Sequence, residues 1–253
     1  MIHVLVLTAT ALEQDKLVAG LQDAVQQQAP GHTWRAGRLG PCRVRLVETG
    51  IGAVNAAHAL TCSLQARRPR LVLLAGVGGA YPGSGLAMGD LALAETEAYG
   101  DLGVRTPAGW QPLQEVGIPL LRRGEEEFYN AFPLDPAWTG WAAAALAAAP
   151  RAAGLPPVHR GPFLTVQECS GTLALGRERE ERWGALCESM EGAAVAHLCR
   201  AYAVPLVEVR GISNRVEDRC RQTWDLPLAA SRAQGAVLAL LAALSEAPSS
   251  RQR

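Results

Sequence analysis

The stretch ESMEGAAVAHLCRAYAVPLVEVRGISN, residues 188–214, sets a helix and a strand side by side. Met190–Ala201 reads as a helix with Glu191 in its first turn, where a carboxylate favours the positive end of the helix dipole. Leu206–Val209 reads as a short apolar strand buried on both faces. The strand runs out into Arg210, Gly211, Ser213 and Asn214. Ligands of open α/β sheets bind beyond the carboxyl ends of strands, so this polar cluster is a candidate site.

The same alternation extends outward along the chain. Val4–Thr8 is an apolar strand, and Ala11–Leu21 follows with helical spacing, Thr10 as N-cap and Glu13 as its capping-box partner. Arg43–Glu48 reads as a strand and residues 50–66 as a helix opened by glycines. Leu71–Ala75 is another buried strand, followed by a glycine-rich turn, GVGGAYPGSG, at 76–85. Asp90–Glu95 and Phe163–Val166 complete the strands, and Ala229–Leu244 forms a last long helix. Strands alternating with helices predict an α/β domain with a mainly parallel sheet.

Residues 1–246 are expected to form one domain and 247–253 a flexible tail, SSRQR being frayed. The segment 99–162, richer in Gly, Pro and Trp and carrying EEE at 125–127, is a long excursion or cap. With 253 residues, 49% of them hydrophobic, one substantial core is affordable to the chain.

Charge is balanced, 24 basic against 24 acidic residues, which gives no electrostatic case for nucleic acid or an anionic membrane as partner. The opening MIHVLVLTAT lacks a basic n-region, and no apolar run is long enough to span a bilayer. Six cysteines without a CxxC pair and five dispersed histidines suit reduced thiols and a chain free of metal and cofactor. The expected setting is the cytoplasm.

Polar or glycine-rich clusters fall at four strand ends: TATALEQD (8–15), GVGGAY (76–81), TVQECS (165–170) and RGISNRVED (210–218). ESMEGAAVAH (188–197) adds a fifth at a helix start. Each alone has an ordinary reading. Glu13 can be a capping partner only, GVGGAY a tight turn, Arg210 an ion-pair member and Asn214 a turn residue.

Together, TATALE (8–13), ETGIGAVNAA (48–57), VLLAGVGGA (72–80), ESMEGAAVAH (188–197) and VEVRGISN (207–214) resemble the nucleoside phosphorylase and nucleosidase superfamily. The resemblance runs from residue 2 to about 244, and SMEGAAVAH with RGISN, Arg210 coming 19 residues after Glu191, is its most specific part. It implies a three-layer α/β/α sandwich around a twisted, partly closed mixed β-sheet, which modifies the parallel-sheet reading. It also implies cleavage of a purine nucleoside's N-glycosidic bond through an oxocarbenium-like ribose.

By that resemblance, Glu191 accepts hydrogen bonds from the ribose 2′- and 3′-hydroxyls and Met190 packs on the sugar. Glu13 orients the nucleophilic water with Arg210 close by. The backbone of Val77–Gly78 and of Thr165–Ser170 borders the purine, and Ser213 and Asn214 face it. The superfamily's phosphorylases carry phosphate-binding Arg and Ser where this chain has LAGVGG (74–79) and TALEQD (10–15). A carboxylate repels phosphate and suits water, so the reaction is expected to be hydrolysis.

Adenine-releasing relatives place an Asp where this chain has Asn214. A carboxamide does not act as a general acid, but its two N–H groups can serve N7 and a 6-oxo group. That matches hypoxanthine and points to the futalosine hydrolases, which the chain also resembles at 99–113, 163–172 and 211–224. Their reaction releases hypoxanthine from futalosine in menaquinone biosynthesis. Glu217-Asp218-Arg219 departs from their usual GxRD order. Arg105, Arg219 and Arg221 are candidates for the carboxylate of the substrate's aryl arm.

The segment 99–121, with Tyr99, Trp110 and Leu113, is expected to cover that arm in a neighbouring subunit, which implies a homo-oligomer, dimer or tetramer. The alternatives are an adenine-releasing nucleosidase acting on methylthioadenosine, S-adenosylhomocysteine or aminodeoxyfutalosine, an inosine-type nucleosidase, and a non-catalytic nucleoside-binding protein.

Overall fold

The computed structural model describes residues 3–29, 31–149 and 154–248. The SSRQR tail therefore lies outside the described residues. Among the described residues, ten strands form the main sheet, beginning with β1 (His3–Thr8). β1 is apolar on both faces because both are covered. Val4 and Val6 enter one core while Leu5 and Leu7 enter the other. Each such side chain gains about 1.5–3 kcal/mol from burial.

One core packs under helices α2 (Ala53–Ala66) and α6 (Gly192–Ala201). The opposite core packs under α4 (Pro136–Ala148) and α7 (Leu226–Ala242). This is the expected three-layer α/β/α arrangement. Short α1 (Asp15–Ala19) replaces the longer helix predicted over 11–21, preceded by a single 3-10 turn at Ala11–Glu13.

The sheet is mixed, not mainly parallel. β1 lies parallel to β4 (Cys42–Glu48) and to β5 (Leu71–Ala80), but β3 (His32–Leu39) runs antiparallel to β4, and β2 (Gln22–Ala29) to β3. β5 is parallel to β14 (Leu206–Arg215) and antiparallel to β13 (Cys187–Ser189). β6 (Leu91–Tyr99) pairs with β14 on one side and with β12 (Val158–Thr165) on the other, and β12 pairs with β13. The path β5–β14–β6–β12–β13 thus returns to β5. This ring is the partly closed section of the sheet, and the candidate side chains gather at its end.

Two boundaries moved in ways that matter. The glycines of GVGGA, read as a turn, are inside β5, which continues to Ala80. Likewise β14 does not stop at Val209 but carries RGISN within the strand. Only part of the excursion is a cap. Hairpin β7 (Gly103–Thr106) with β8 (Gly109–Pro112), one-turn α3 (Leu113–Val116), and hairpin β9 (Leu121–Arg123) with β10 (Glu126–Phe128) stand off the main sheet. Then β11 (Ala131–Pro133) joins the edge of β6, and α4 packs into the core. Among the described residues, no helix is long and apolar enough to cross a membrane.

Candidate active site

The ends of β1, β5 and β14 meet the N-terminus of α6, and each brings one charged or polar group. Glu13 follows β1, and its Oε2 accepts hydrogen bonds from the Thr10 N–H at 2.8 Å and the Thr10 hydroxyl at 3.0 Å. The capping box is real, but Glu13 also leaves it. Its Oε1 accepts the Val77 N–H at 2.9 Å, and the residue is 4% exposed. Burial pushes the Glu13 carboxyl above the usual carboxylate range, against the pull of Arg210 and the Val77 and Thr10 amides.

Arg210 is 1% exposed on β14. Its Nε donates to Glu208 Oε1 at 2.9 Å and its Nη1 to Glu191 Oε2 at 3.3 Å. Burial opposes the guanidinium charge, but Glu208, Glu191, Glu13 and Glu97 outweigh it and hold the group charged. Glu191 Oε1 accepts the Gly52 N–H at 2.9 Å. Gly52 has φ of 96°, a conformation open chiefly to glycine, and it aims that N–H at Glu191 from the start of α2.

Gly76 explains how Glu13 and Arg210 come so near. A Cβ there would stand 2.5 Å from Glu13 Oε1 and 2.7 Å from Arg210 Nη1. The missing side chain is the space these two groups occupy. The result is one network of Glu13, Val77, Glu191 and Arg210, with the Val77 carbonyl 3.4 Å from Arg210 Nη1.

Farther along β14, Arg210 pairs with Gly76 and Ile212 with Gly78, but Asn214 pairs with Gly79. A bulge at Ser213 makes the difference. It moves Asn214 off the buried Arg210–Ile212 face and onto the partly open face shared by Val77 and Gly79. The Ser213 hydroxyl donates to Asn214 Oδ1 at 2.8 Å and lies 3.3 Å from the Gly78 carbonyl. Asn214 Nδ2 donates to the Arg215 carbonyl at 3.0 Å. One of its two N–H groups is thereby engaged, so only one remains for a ligand.

Two other expected residues turn their side chains inward. The Thr165 hydroxyl accepts the Ala193 N–H at 2.6 Å and donates to Glu97 Oε2 at 2.8 Å. Ser170 donates its N–H and hydroxyl to Glu188, at 2.8 and 2.6 Å. Arg179 of α5 (Leu173–Trp183) and the Tyr81 hydroxyl hold the same group from beneath. Met190 is half-buried, its sulfur 3.7 Å from Cys169 Sγ. Asp218, from the departing Glu-Asp-Arg run, accepts the Leu173 N–H at 3.0 Å and so anchors the start of α5.

Tyr99 and Trp110 do not project from the excursion. Tyr99 packs edge-on against Phe132 and His197, and Trp110 packs against Trp183 with the Arg182 guanidinium 4.6 Å from its ring. Leu102, Val104 and Ile118 are large apolar side chains exposed there. Arg105 lines a cavity with Trp110, Arg179 and Arg182, while the Arg219 guanidinium lies 4.8 Å from the Trp224 ring. Among the described residues, no three His, Cys, Asp or Glu side chains converge as a metal site.

The sequence reading passed over Glu97, Glu188, Glu208 and Arg179, all buried near the site. Glu208 carried a usable signal. An acid inside the buried run LVEV must be paired, and the nearest cation on the same strand face is Arg210.

The family model of the Phosphorylase superfamily matches residues 3–246. A futalosine hydrolase of Thermus thermophilus is 41% identical over 198 residues, 78% of this chain and 80% of that protein. One from Acidothermus cellulolyticus is 34% identical over 241 residues, 94% of this chain and 90% of that protein. In structure, the methylthioadenosine/S-adenosylhomocysteine nucleosidase of Neisseria meningitidis, solved with methylthio-immucillin-A, has a TM-score of 0.81 at 21% identity, covering 95% of this chain and 99% of that one. With its sheet, its site geometry and these likenesses taken together, the chain belongs to the phosphorylase superfamily and, within it, to the futalosine hydrolase family.

Proposed function

We propose that this chain hydrolyses the N-glycosidic bond of futalosine and releases hypoxanthine and dehypoxanthine futalosine. The observation that carries the reading is Asn214, a neutral amide re-aimed by the bulge onto the accessible face, with its oxygen occupied by Ser213. What it offers a base is an N–H, and a 6-oxopurine presents acceptors at N7 and O6.

Glu191 holds the ribose 2′- and 3′-hydroxyls, and Met190 packs on the sugar. As the bond to the base lengthens, positive charge grows on the ribose beside the Glu191 and Glu13 carboxylates. That attraction is strongest in the transition state, where it accelerates the reaction. Glu13 takes a proton from a water attacking C1′, and Arg210 keeps Glu13 and Glu191 in place. Val77, Gly78 and the backbone of Thr165–Ser170 border the base, with Ser213 setting the amide. Asn214 supplies no proton, so the departing hypoxanthine has its charge met by an N–H and is protonated by water.

The reading extends to a cytoplasmic homo-oligomer, dimer or tetramer, acting in menaquinone biosynthesis. Exposed Leu102, Val104 and Ile118 on the excursion support a subunit contact, which light scattering tests. Incubation with futalosine and, separately, methylthioadenosine tests the activity. Hypoxanthine from the first is expected. Adenine from the second with no hypoxanthine from the first overturns the reading.

A further inference from the structure

Beside Arg210, two further carboxyl groups are fully buried. Glu208 is two residues before Arg210 on the same face of β14, and Glu97 faces it from β6. Both are 0% exposed. Each group has one oxygen satisfied. Glu208 Oε1 accepts Arg210 Nε at 2.9 Å, and Glu97 Oε2 accepts the Thr165 hydroxyl at 2.8 Å. Among the described residues, Glu97 Oε1 and Glu208 Oε2 have no hydrogen-bond partner. Both carboxyl groups reach the same small space beside Gly192, where one proton shared between them would satisfy the two orphaned oxygens.

Gly192 makes room for the pair. A Cβ there would overlap Glu97 Oε1 and stand 2.8 Å from Glu208 Oε1. The α6 N-terminus is therefore in contact with both acids. Two ionised carboxylates buried together repel strongly, whereas one shared charge facing Arg210 and a helix N-terminus is sustained.

We infer that Glu97 and Glu208 share one proton, and that this single-charge pair is a positioning device holding Arg210 against Glu191 and Glu13. The inference rests on the reading that Arg210 serves the hydrolytic site. Its consequence is electrostatic. With one proton in the pair, the buried carboxyls of Glu13, Glu191, Glu97 and Glu208 outnumber the Arg210 charge without the repulsion a fourth carboxylate would add. The excess is placed where a ribose cation would develop.

The protonation is consistent with the surroundings. Burial first, and then the charge of Glu208, push the Glu97 carboxyl well above its ordinary range, and burial raises Glu208 despite Arg210. The other titratable groups facing the pair are Glu191, Cys187 of β13, Cys199 of α6 and Tyr99 of β6. Burial raises both thiols and the phenol, Tyr99 to about 12, so these three stay neutral and take none of the charge.

A shared proton has a signature that ordinary packing lacks. In Glu97→Gln the amide donates where the acid did, and Glu208 keeps the charge. In Glu208→Gln the amide accepts from Arg210 and donates to Glu97, which now ionises and keeps the charge. Each single variant is expected to lose less than about tenfold in kcat/KM on futalosine. The double variant removes the charge and is expected to fall at least about tenfold below the product of the singles. A double variant no worse than that product overturns the inference.

Infrared spectra in heavy water at neutral pH supply a readout independent of substrate. The carbonyl band of a protonated carboxylic acid is expected in the wild-type protein and is expected to weaken in either single variant. Unchanged acid-band intensity in Glu97→Gln overturns the shared proton even if futalosine is hydrolysed. If the band behaves as expected and futalosine is not cleaved, the pair stands and the proposed activity fails.

Discussion

Ser213 donates its hydroxyl proton to Asn214 Oδ1 across 2.8 Å, and this bond decides which end of the carboxamide faces outward. The amide nitrogen is left beside Gly79, on the open face that the bulge gives to residue 214. Asn214→Asp exchanges that donor for an acceptor. Hypoxanthine release from futalosine is expected to fall roughly 10- to 100-fold, the effect of leaving one or two buried polar groups unpaired at about 1–3 kcal/mol each. The ratio of rates on 6-amino and 6-oxo nucleosides is expected to shift toward the amino substrate. An unchanged ratio would remove Asn214 from base recognition.

Glu13 gives a pH dependence with a definite sign. Burial raises its carboxyl, so the unfolded chain loses this proton at a lower pH than the folded protein does. Between those two values the folded state binds more protons, and stability falls as pH rises through the window. Glu13→Gln removes that penalty. Its amide nitrogen must face an N–H that the carboxylate accepted, which costs stability, so the expected sign is in the slope: the melting temperature of the variant lacks the wild type's decline as pH rises through the window. Activity moves the other way. The water needs a carboxylate, so wild-type kcat/KM is expected to decline on the acid side at a pH above the ordinary glutamate value. Glu13→Gln is expected to lose roughly 100-fold or more. Melting curves and rate profiles on the same two proteins check both arms.

The Gly76 position tests the geometry alone, since glycine contributes no chemistry. Gly76→Ala places a methyl group 2.5 Å from Glu13 Oε1 and 2.7 Å from Arg210 Nη1, and both must withdraw. Stability is expected to fall by about 1–3 kcal/mol, as for other overpacked positions. kcat is expected to fall at least tenfold while the fold survives, measured by denaturant titration beside steady-state rates. A fully active Gly76→Ala protein would mean that the close approach of the two groups is dispensable.

Thr165 supports the site through one hydroxyl. Its oxygen accepts from the Ala193 amide at the start of α6 and donates to Glu97. Thr165→Val keeps the shape and deletes both bonds. It leaves a buried N–H and a buried carboxyl oxygen unpaired, at about 1–3 kcal/mol each. Chemical denaturation is expected to show a lower midpoint with an unchanged slope.

What could be read in the sequence depended on whether burial left a pattern. β1, β5 and β14 are covered on both faces, so their apolar runs stood out, as did the small-residue helix α6. The β2–β3 hairpin was missed because β2 is an exposed edge, QDAVQQQA, with no buried face to impose alternation. GVGGA was read as a turn because glycine usually marks one. Here the glycines are in a strand because Glu13, Arg210 and the Glu188 backbone approach β5 too closely for side chains. Glu13, Glu191, Arg210 and Asn214 were named through a family likeness. Glu97 and Glu188 find their partners on other elements, Thr165 for the first and Tyr81, Ser170 and Arg179 for the second, and only Glu208 has its partner, Arg210, nearby in its own strand.

Arg179 shows how such a distant partner can be tested. It is 3% exposed on α5, and its Nη1 donates to the Glu168 carbonyl at 2.6 Å and to Ser170 Oγ at 2.8 Å. The same group lies 3.6 Å from Glu188 Oε2, which also receives the Tyr81 hydroxyl. Arg179 thus holds the segment 166–170 from below, beside Asp101, which accepts the Gln167 and Glu168 N–H groups. Arg179→Met leaves Glu188 buried without its counter-charge, a change that costs about 3–5 kcal/mol in comparable pairs. Tyr81→Phe removes one hydrogen bond and keeps the ion pair, for about 1 kcal/mol. If this segment borders the base, the order Arg179→Met, Tyr81→Phe, wild type is expected in KM for futalosine, highest first. kcat is expected to change less, because neither side chain reaches Glu13 or Glu191. A graded loss of stability with no change in KM would assign the cluster to folding alone.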